Sequence, residues 1–267
     1  MTTRSGIGAA PKRREDRRFL TGAGRYLDDL AFDGLAHAAV LRSPHAHARV
    51  RGIDADAARA MPGVLAVLTA AEIAADQLNP LRPYVETNTQ TGEPFSFLPQ
   101  PLLADGKVRY VGEAVALVVA GTRAQALDAV ECVAVDYAPL PAVTMPAQAR
   151  APGAPLLADS VAANLAFEWQ TGDAAAVAAA FARAAHTVET AVHNHRIASN
   201  PMEPRGLVGQ YDPGPGRYTL HVSAQSIHAT RDHTARASAW RLTRCALSRP
   251  MSAAGSAPRI SPTRSMC

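Results

Sequence analysis

A chain of 267 residues, 48% hydrophobic and 19% charged, has the make-up of a soluble globular protein able to bury a real core. Its net charge of +4 sits mainly in Lys12–Arg18 and in the arginines after Asp232 rather than on one folded face, and Glu15 and Asp16 interrupt the first cluster, which argues against nucleic acid as a partner. Three cysteines without paired spacing exclude a disulfide framework. The longest apolar run, Ala114–Ala120, is far below the roughly 20 residues of a membrane span, and Met1–Arg18 has no apolar segment of a signal peptide; a cytoplasmic protein is expected.

The chain opens on a polar segment, residues 1–18, and Gly22-Ala23-Gly24 then reads as a turn, because no strand precedes it and no phosphate-binding lysine follows. Leu35–Leu41 predicts a buried strand closed by Arg42-Ser43-Pro44. Asp54 is placed to cap a short helix running to Met61, Pro62-Gly63 ends it, and Val64–Thr69 predicts another strand. A helix follows over Ala70–Asp76, then a proline-containing loop from Asn79 to Pro101. Val108–Tyr110, Ala114–Ala120 and Val130–Tyr137 read as strands, with a helix at Arg123–Ala129. Strands alternating with short helices indicate an α+β or α/β layer. Pro139–Pro155, rich in proline and alanine, reads as a linker; Gly172-Asp173 starts an alanine-rich helix to Ala185, followed by a strand at Thr187–His193.

From Gly206 the pattern predicts a hairpin: Gly206–Tyr211 and Tyr218–Ser223 are joined by Pro213-Gly214-Pro215-Gly216, and a helix starts near His228. Two His-x-His pairs, His45/His47 and His193/His195, have a spacing that puts both imidazoles on one side of a strand, but neither has a third ligand nearby, so both are read as polar strand or loop edges. There is no G-x-S-x-G motif and no cysteine in a nucleophile context, so covalent hydrolase chemistry has no support.

The blocks RREDRRFLTGAGRYLDDL, AAVLRSPHAHARV, MPGVLAVLTAAEI, KVRYVGEAVALVVA and ALDAVECVAVDYAPLPAV, with HNHRIASNPMEPRGLVGQYDPGPGRYTLHVSAQSIHATRDHTAR after them, resemble the large subunits of the xanthine dehydrogenase, aldehyde oxidase and carbon monoxide dehydrogenase family. The resemblance implies an α+β chain: an α/β hammerhead domain over 19–141, a linker over 142–160, and the N-terminal part of a mixed α/β molybdenum-binding domain over 161–237. It also implies a molybdenum-pterin cofactor of the molybdopterin cytosine dinucleotide type. Gln225 then takes the place of the glutamine that donates a hydrogen bond to an oxo ligand of the metal. No residue here is implied as a metal ligand or as catalytic, because the family's glutamate base lies further toward its C-terminus. Partners implied are an iron–sulfur small subunit and an FAD medium subunit, in a dimer of heterotrimers.

After Asp232 there is no acidic residue, and arginines recur among serine, proline and alanine. Pro250–Ala257, written as CCG ATG TCG GCG GCG GGT TCG GCG, reads from the third base as Asp-Val-Gly-Gly-Gly-Phe-Gly, the family's pterin-approaching loop. Residues 238–267 are therefore expected to be a frameshifted, disordered tail. The expected whole is the N-terminal part of a molybdenum-dependent oxidoreductase acting on an aldehyde, purine, N-heterocycle or carbon monoxide, without stoichiometric cofactor or activity by itself. A non-catalytic hammerhead that docks an iron–sulfur or flavin subunit is the alternative.

Overall fold

The computed structural model describes residues 7, 14–83, 86–88, 92–194, 203–224, 226–238 and 245–248. They fall into two compact units. One gathers the described residues of Met1–His37, Gln77–Asn79 and Asn200–Ile260, and the other those of Ala38–Asp76 and Pro80–Ser199. No described helix is long and apolar enough to cross a membrane.

The larger unit holds two three-stranded sheets. In the first, β5 (Ala114–Ala120) lies between β1 (His37–Arg42) and β3 (Val64–Leu68); in the second, β2 (Ala48–Asp54) lies between β4 (Lys107–Val108) and β6 (Ala134–Pro139). β3–β5, β2–β4 and β2–β6 are all antiparallel. The unbroken apolar run AVALVVA makes β5 the middle strand, because a strand covered on both faces needs no polar alternation. Val115 packs with Ala48, Ala104 and Val108, whereas Ala116 and Val118 pack with Ala55, Ala58, Val67, Ala129 and Val133. The predominance of alanine lets helices α2 (Asp56–Arg59) and α4 (Arg123–Glu131) come close to the sheet; Ala58 and Ala129 are both fully buried.

Local signals explain the helix starts. Thr69 and Glu72 form a capping box at α3 (Ala70–Ala75), and Thr122 and Gln125 form another at α4. Gly63, with φ +82°, cannot be replaced without strain: a Cβ there would stand 2.2 Å from Gln125 Nε2. Asp173 Oδ1 accepts from Ala176 N at 2.9 Å and opens α6 (Ala174–Arg183) where the sequence indicates.

Three expectations need correction, and one strand goes unpredicted. Asp54 does not cap α2; its carboxylate accepts from Asp56 N at 3.0 Å, two residues on, and Ala55 takes the cap position. Val130 and Glu131 belong to α4 rather than to a strand, with Val130 packed against the core from the helix. Thr187–His193 is not a strand: Val188 and Val192 are 89% and 84% exposed, and alternation without a neighbouring strand cannot satisfy a ladder. β2 goes unrecognised in the sequence because Arg49 and Arg51 alternate with Ala48 and Val50 beside a bulge at Val50/Gly52.

The stretch read as a linker is ordered. α5 (Pro146–Ala149) lies within it, Ala149, Ala158 and Val161 are buried, and Asn164 Nδ2 donates to Ala149 O at 2.8 Å and Pro155 O at 3.1 Å while its Oδ1 accepts from Leu157 N at 3.0 Å. Glu113 is buried at the turn before β5. It accepts from the Arg109 backbone N–H, and its carboxylate lies 3.7 Å from that residue's guanidinium. Burial dominates and holds its carboxyl above the usual carboxylate range.

Two outcomes are expected. Val118→Asp, which buries an unpaired charge at a fully buried position of β5, should lower stability by at least about 3 kcal/mol in denaturant unfolding. Because the Glu113 pKa is raised on folding, its contribution is complete below the unfolded value of about 4.3 and is lost as pH rises through the folded value. The stability of the parent relative to Glu113→Gln should therefore grow as pH falls from neutrality, and a flat difference across that range would refute it.

Candidate functional site

The smaller unit is organised by β7 (Leu207–Asp212), β8 (Arg217–Val222), α7 (Ile227–Ala237) and β9 (Cys245–Ser248). β7 and β8 form the expected antiparallel hairpin, from Leu207↔Val222 to Asp212↔Arg217. At its turn, Gly214 N donates to Asp212 Oδ1 at 3.0 Å and Gly216 takes a φ of +62°. Tyr211 and Tyr218 stack across the strands with ring centroids 4.5 Å apart.

The expectation of no regular structure after Ser238 is corrected at β9, which pairs parallel with β8 from Tyr218↔Cys245 to His221↔Ser248. The hairpin leaves one edge of β8 open, and a short segment returning after a helix can fill that edge as a parallel strand. The outcome is a strand–helix–strand unit, β8–α7–β9.

Gln225, the residue that sequence reasoning assigns to the metal, lies outside the described residues, as does His195. Both flanks of position 225 are described. On the C-terminal side, Ser226 caps α7, its Oγ accepting from Ala229 N at 3.3 Å. The hydroxyls of Thr230, Thr234 and Ser238 each donate to the carbonyl four residues earlier, so this polar stripe is satisfied within the helix. The other end of α7 is held by Asn79, whose N–H donates to Ala237 O at 2.7 Å and whose Nδ2 donates to Arg236 O at 3.1 Å. Those carbonyls have no partner within the helix.

On the N-terminal side stands Glu203, a residue whose role the sequence does not announce. It is only 6% exposed, and both of its oxygens are used. Oε1 accepts from Leu27 N at 3.0 Å, and Oε2 accepts from the Ser223 hydroxyl at 2.8 Å. Leu27 belongs to a 3-10 turn, Leu27–Asp29, that lies against the residues just before β7: a Cβ at Gly206 would stand 2.8 Å from Leu27 Cδ2. Further along this segment, Phe32 meets the His221 ring at 5.1 Å, and His221 Nε2 lies 2.8 Å from Gln210 Oε1. The only sequence sign of this arrangement is an acidic residue between Met202 and Pro204 just ahead of a strand.

The His-x-His pair of the larger unit does not converge. His45 packs on Tyr137 at 4.8 Å, while His47 Nδ1 lies 2.7 Å from Pro141 O and its Nε2 is buried with no hydrogen-bond partner among the described residues. Among the described residues no three His, Cys, Asp or Glu side chains gather as metal ligands.

Two family models match the chain in order: the aldehyde oxidase and xanthine dehydrogenase a/b hammerhead domain over residues 21–141, and the molybdopterin cofactor-binding domain over residues 157–249. The carbon monoxide dehydrogenase large chain of Hydrogenophaga pseudoflava is 38% identical over 230 residues, covering 82% of this chain and 27% of that one. The nicotine 6-hydroxylase large subunit of Paenarthrobacter nicotinovorans is 40% identical over 228 residues, covering 85% and 27%. Among solved structures, quinoline 2-oxidoreductase from Pseudomonas putida 86 superposes with a TM-score of 0.79 at 36% identity, covering 91% of this chain and 30% of that one. The chain thus spans a little over a quarter of the length of these curated relatives.

Proposed function

The chain belongs to the molybdenum-dependent xanthine dehydrogenase, aldehyde oxidase and carbon monoxide dehydrogenase large-subunit family, and on that premise we propose that it supplies the N-terminal wall of such a subunit's cofactor site. It joins a hammerhead domain to part of a molybdenum-binding domain, with limits we place at 19–141 and 161–237 and with 142–160 between them. The observation that carries the reading is the strand–helix–strand unit β8–α7–β9, with position 225 between a pinned strand end and a capped helix start, inside the segment that matches the cofactor-binding domain.

The residues present fit one wall of a molybdenum-pterin site and no more. The Gln225 amide would donate a hydrogen bond to a ligand of the metal without adding charge beside it. Glu203, Ser223 and Ser226 are engaged with one another or with backbone, so they hold the turn rather than offer ligands. When bound, the molybdenum centre supplies the oxidation chemistry itself; the protein orients it and handles protons. The reaction class is oxidative hydroxylation of an aldehyde, purine or N-heterocycle, or oxidation of carbon monoxide. The cofactor is of the molybdopterin cytosine dinucleotide type, and electrons pass to an iron–sulfur small subunit and an FAD medium subunit in a dimer of heterotrimers in the cytoplasm. Relatives described as large subunits or as one subunit of a complex support that assembly. The segment from about Ser238 onward, Cys245–Ser248 included, reads as a translation in a shifted frame.

Purified from cells that make the cofactor, the chain alone should hold well under one molybdenum per chain, and metal analysis near one per chain would contradict this. Grafted up to Ala237 in place of the matching part of the Hydrogenophaga large chain, it should support cofactor loading. Gln225→Ala in that graft should cost about 10–100-fold in molybdenum retention or activity. An unaffected graft would remove Gln225 from the site.

A further inference from the structure

We infer that Glu203 is a positioning residue: its carboxylate sets the end of β8, and hence the approach to position 225, by gripping Ser223 on one side and the Leu27 amide on the other. The inference rests on the reading of Gln225 given above. A buried carboxylate is costly to desolvate and persists only where its oxygens are satisfied. Glu203 meets that condition with two partners far apart in the chain, 176 residues away for Leu27 and 20 for Ser223. Among the described residues its side-chain partners are one backbone amide and one hydroxyl, and no cation. That makes it a geometric tie rather than half of an ion pair.

The position of the tie matters more than its strength. Ser223 directly follows β8 and stands two residues before Gln225, whereas Leu27 comes from a separate segment anchored again by Phe32 on His221. A strand end held only by its ladder frays, because its last backbone groups lack a partner on one side. Clamped to a second segment through Ser223, the end of β8 is held at the point where the chain turns toward α7. The Ser226 cap holds the start of the helix, and Asn79 holds its far end. On the strand side of position 225 the Glu203 tie joins Ser223, next to the end of β8, to a segment outside the hairpin, while Phe32 on His221 and β9 hold β8 further back. Gly206 lies beside the same segment: a Cβ there would stand 2.8 Å from Leu27 Cδ2, so a side chain would require Leu27 to shift.

Amide-resolved hydrogen exchange on the full chain tests this. Ser223→Ala keeps the Leu27 contact and removes only the strand-side arm. It should speed exchange of the amides from Ser223 to Ala229 about fivefold or more, with β7 and the centre of β8 unchanged. Glu203→Ala should do the same and also free the Leu27 amide by about tenfold or more. Glu203→Gln should restore most of the protection, because its carbonyl can accept from Leu27 N–H while its amide donates to Ser223 Oγ. Parental exchange rates in Ser223→Ala would overturn the inference. So would a uniform rise across residues 207–237, since that is the behaviour of a residue that merely stabilises the unit. If instead the Gln225 reading is the one that fails, Gln225→Ala leaves molybdenum retention intact while these exchange rates still follow Glu203 and Ser223.

Discussion

The carboxylate of Glu203 is the constraint on which the smaller unit depends. A two-stranded hairpin is marginal in water, and this one carries exposed Leu207 and Tyr211 on β7. What turns it into a defined platform is its attachment to segments from elsewhere in the chain. Leu27 and Phe32 pack at its base, Asn79 closes the end of α7, and β9 fills the open edge of β8. Of these contacts only the Glu203 tie is a buried charge. Its loss would leave uncompensated groups on both sides, whereas an apolar contact would lose only area.

The larger unit solves a different problem. With aromatics at only 5% of the chain, it builds its core from alanine and valine. Ala48, Ala58, Ala116, Ala120 and Ala129 are fully buried, and the small side chains bring α4 and the sheets close together. This density substitutes for bulk: there is little room for a larger side chain at these positions, and a cavity anywhere among them could not readily collapse. Among its described residues no three His, Cys, Asp or Glu side chains gather as metal ligands. Its buried titratable groups, Glu113 and His47, are used to hold turns, Glu113 at the backbone of Arg109 and His47 at the carbonyl of Pro141. The hammerhead match covers residues 21–141 and the cofactor-binding match residues 157–249.

How much of this was legible in the sequence follows from where the determining interactions lie. β5 could be read because its burial is written into seven consecutive residues, and α6 because Asp173 stands next to the helix it caps. The β7–β8 hairpin could be read because glycine and proline make the turn locally. β2 was hidden by surface arginines and a bulge, and β9 by the absence of any pattern in four residues whose pairing depends on a free edge elsewhere. Position 225 is singled out by resemblance to a family rather than by its own chemistry. Glu203 could not be found locally at all, because its partner Leu27 is 176 residues away and is bonded through backbone that carries no side-chain signature.

The central claim is that Glu203 and Ser223 act as one device at the end of β8, and a double-mutant cycle on the intact chain tests it most directly. Denaturant unfolding of the parent, Glu203→Ala, Ser223→Ala and the double variant should give a coupling energy of about 1.5–3 kcal/mol, as for a buried hydrogen bond to a charged group. Effects that add to within about 0.5 kcal/mol would show that the two side chains stabilise the unit independently, and the account of a pinned approach to position 225 would be contradicted.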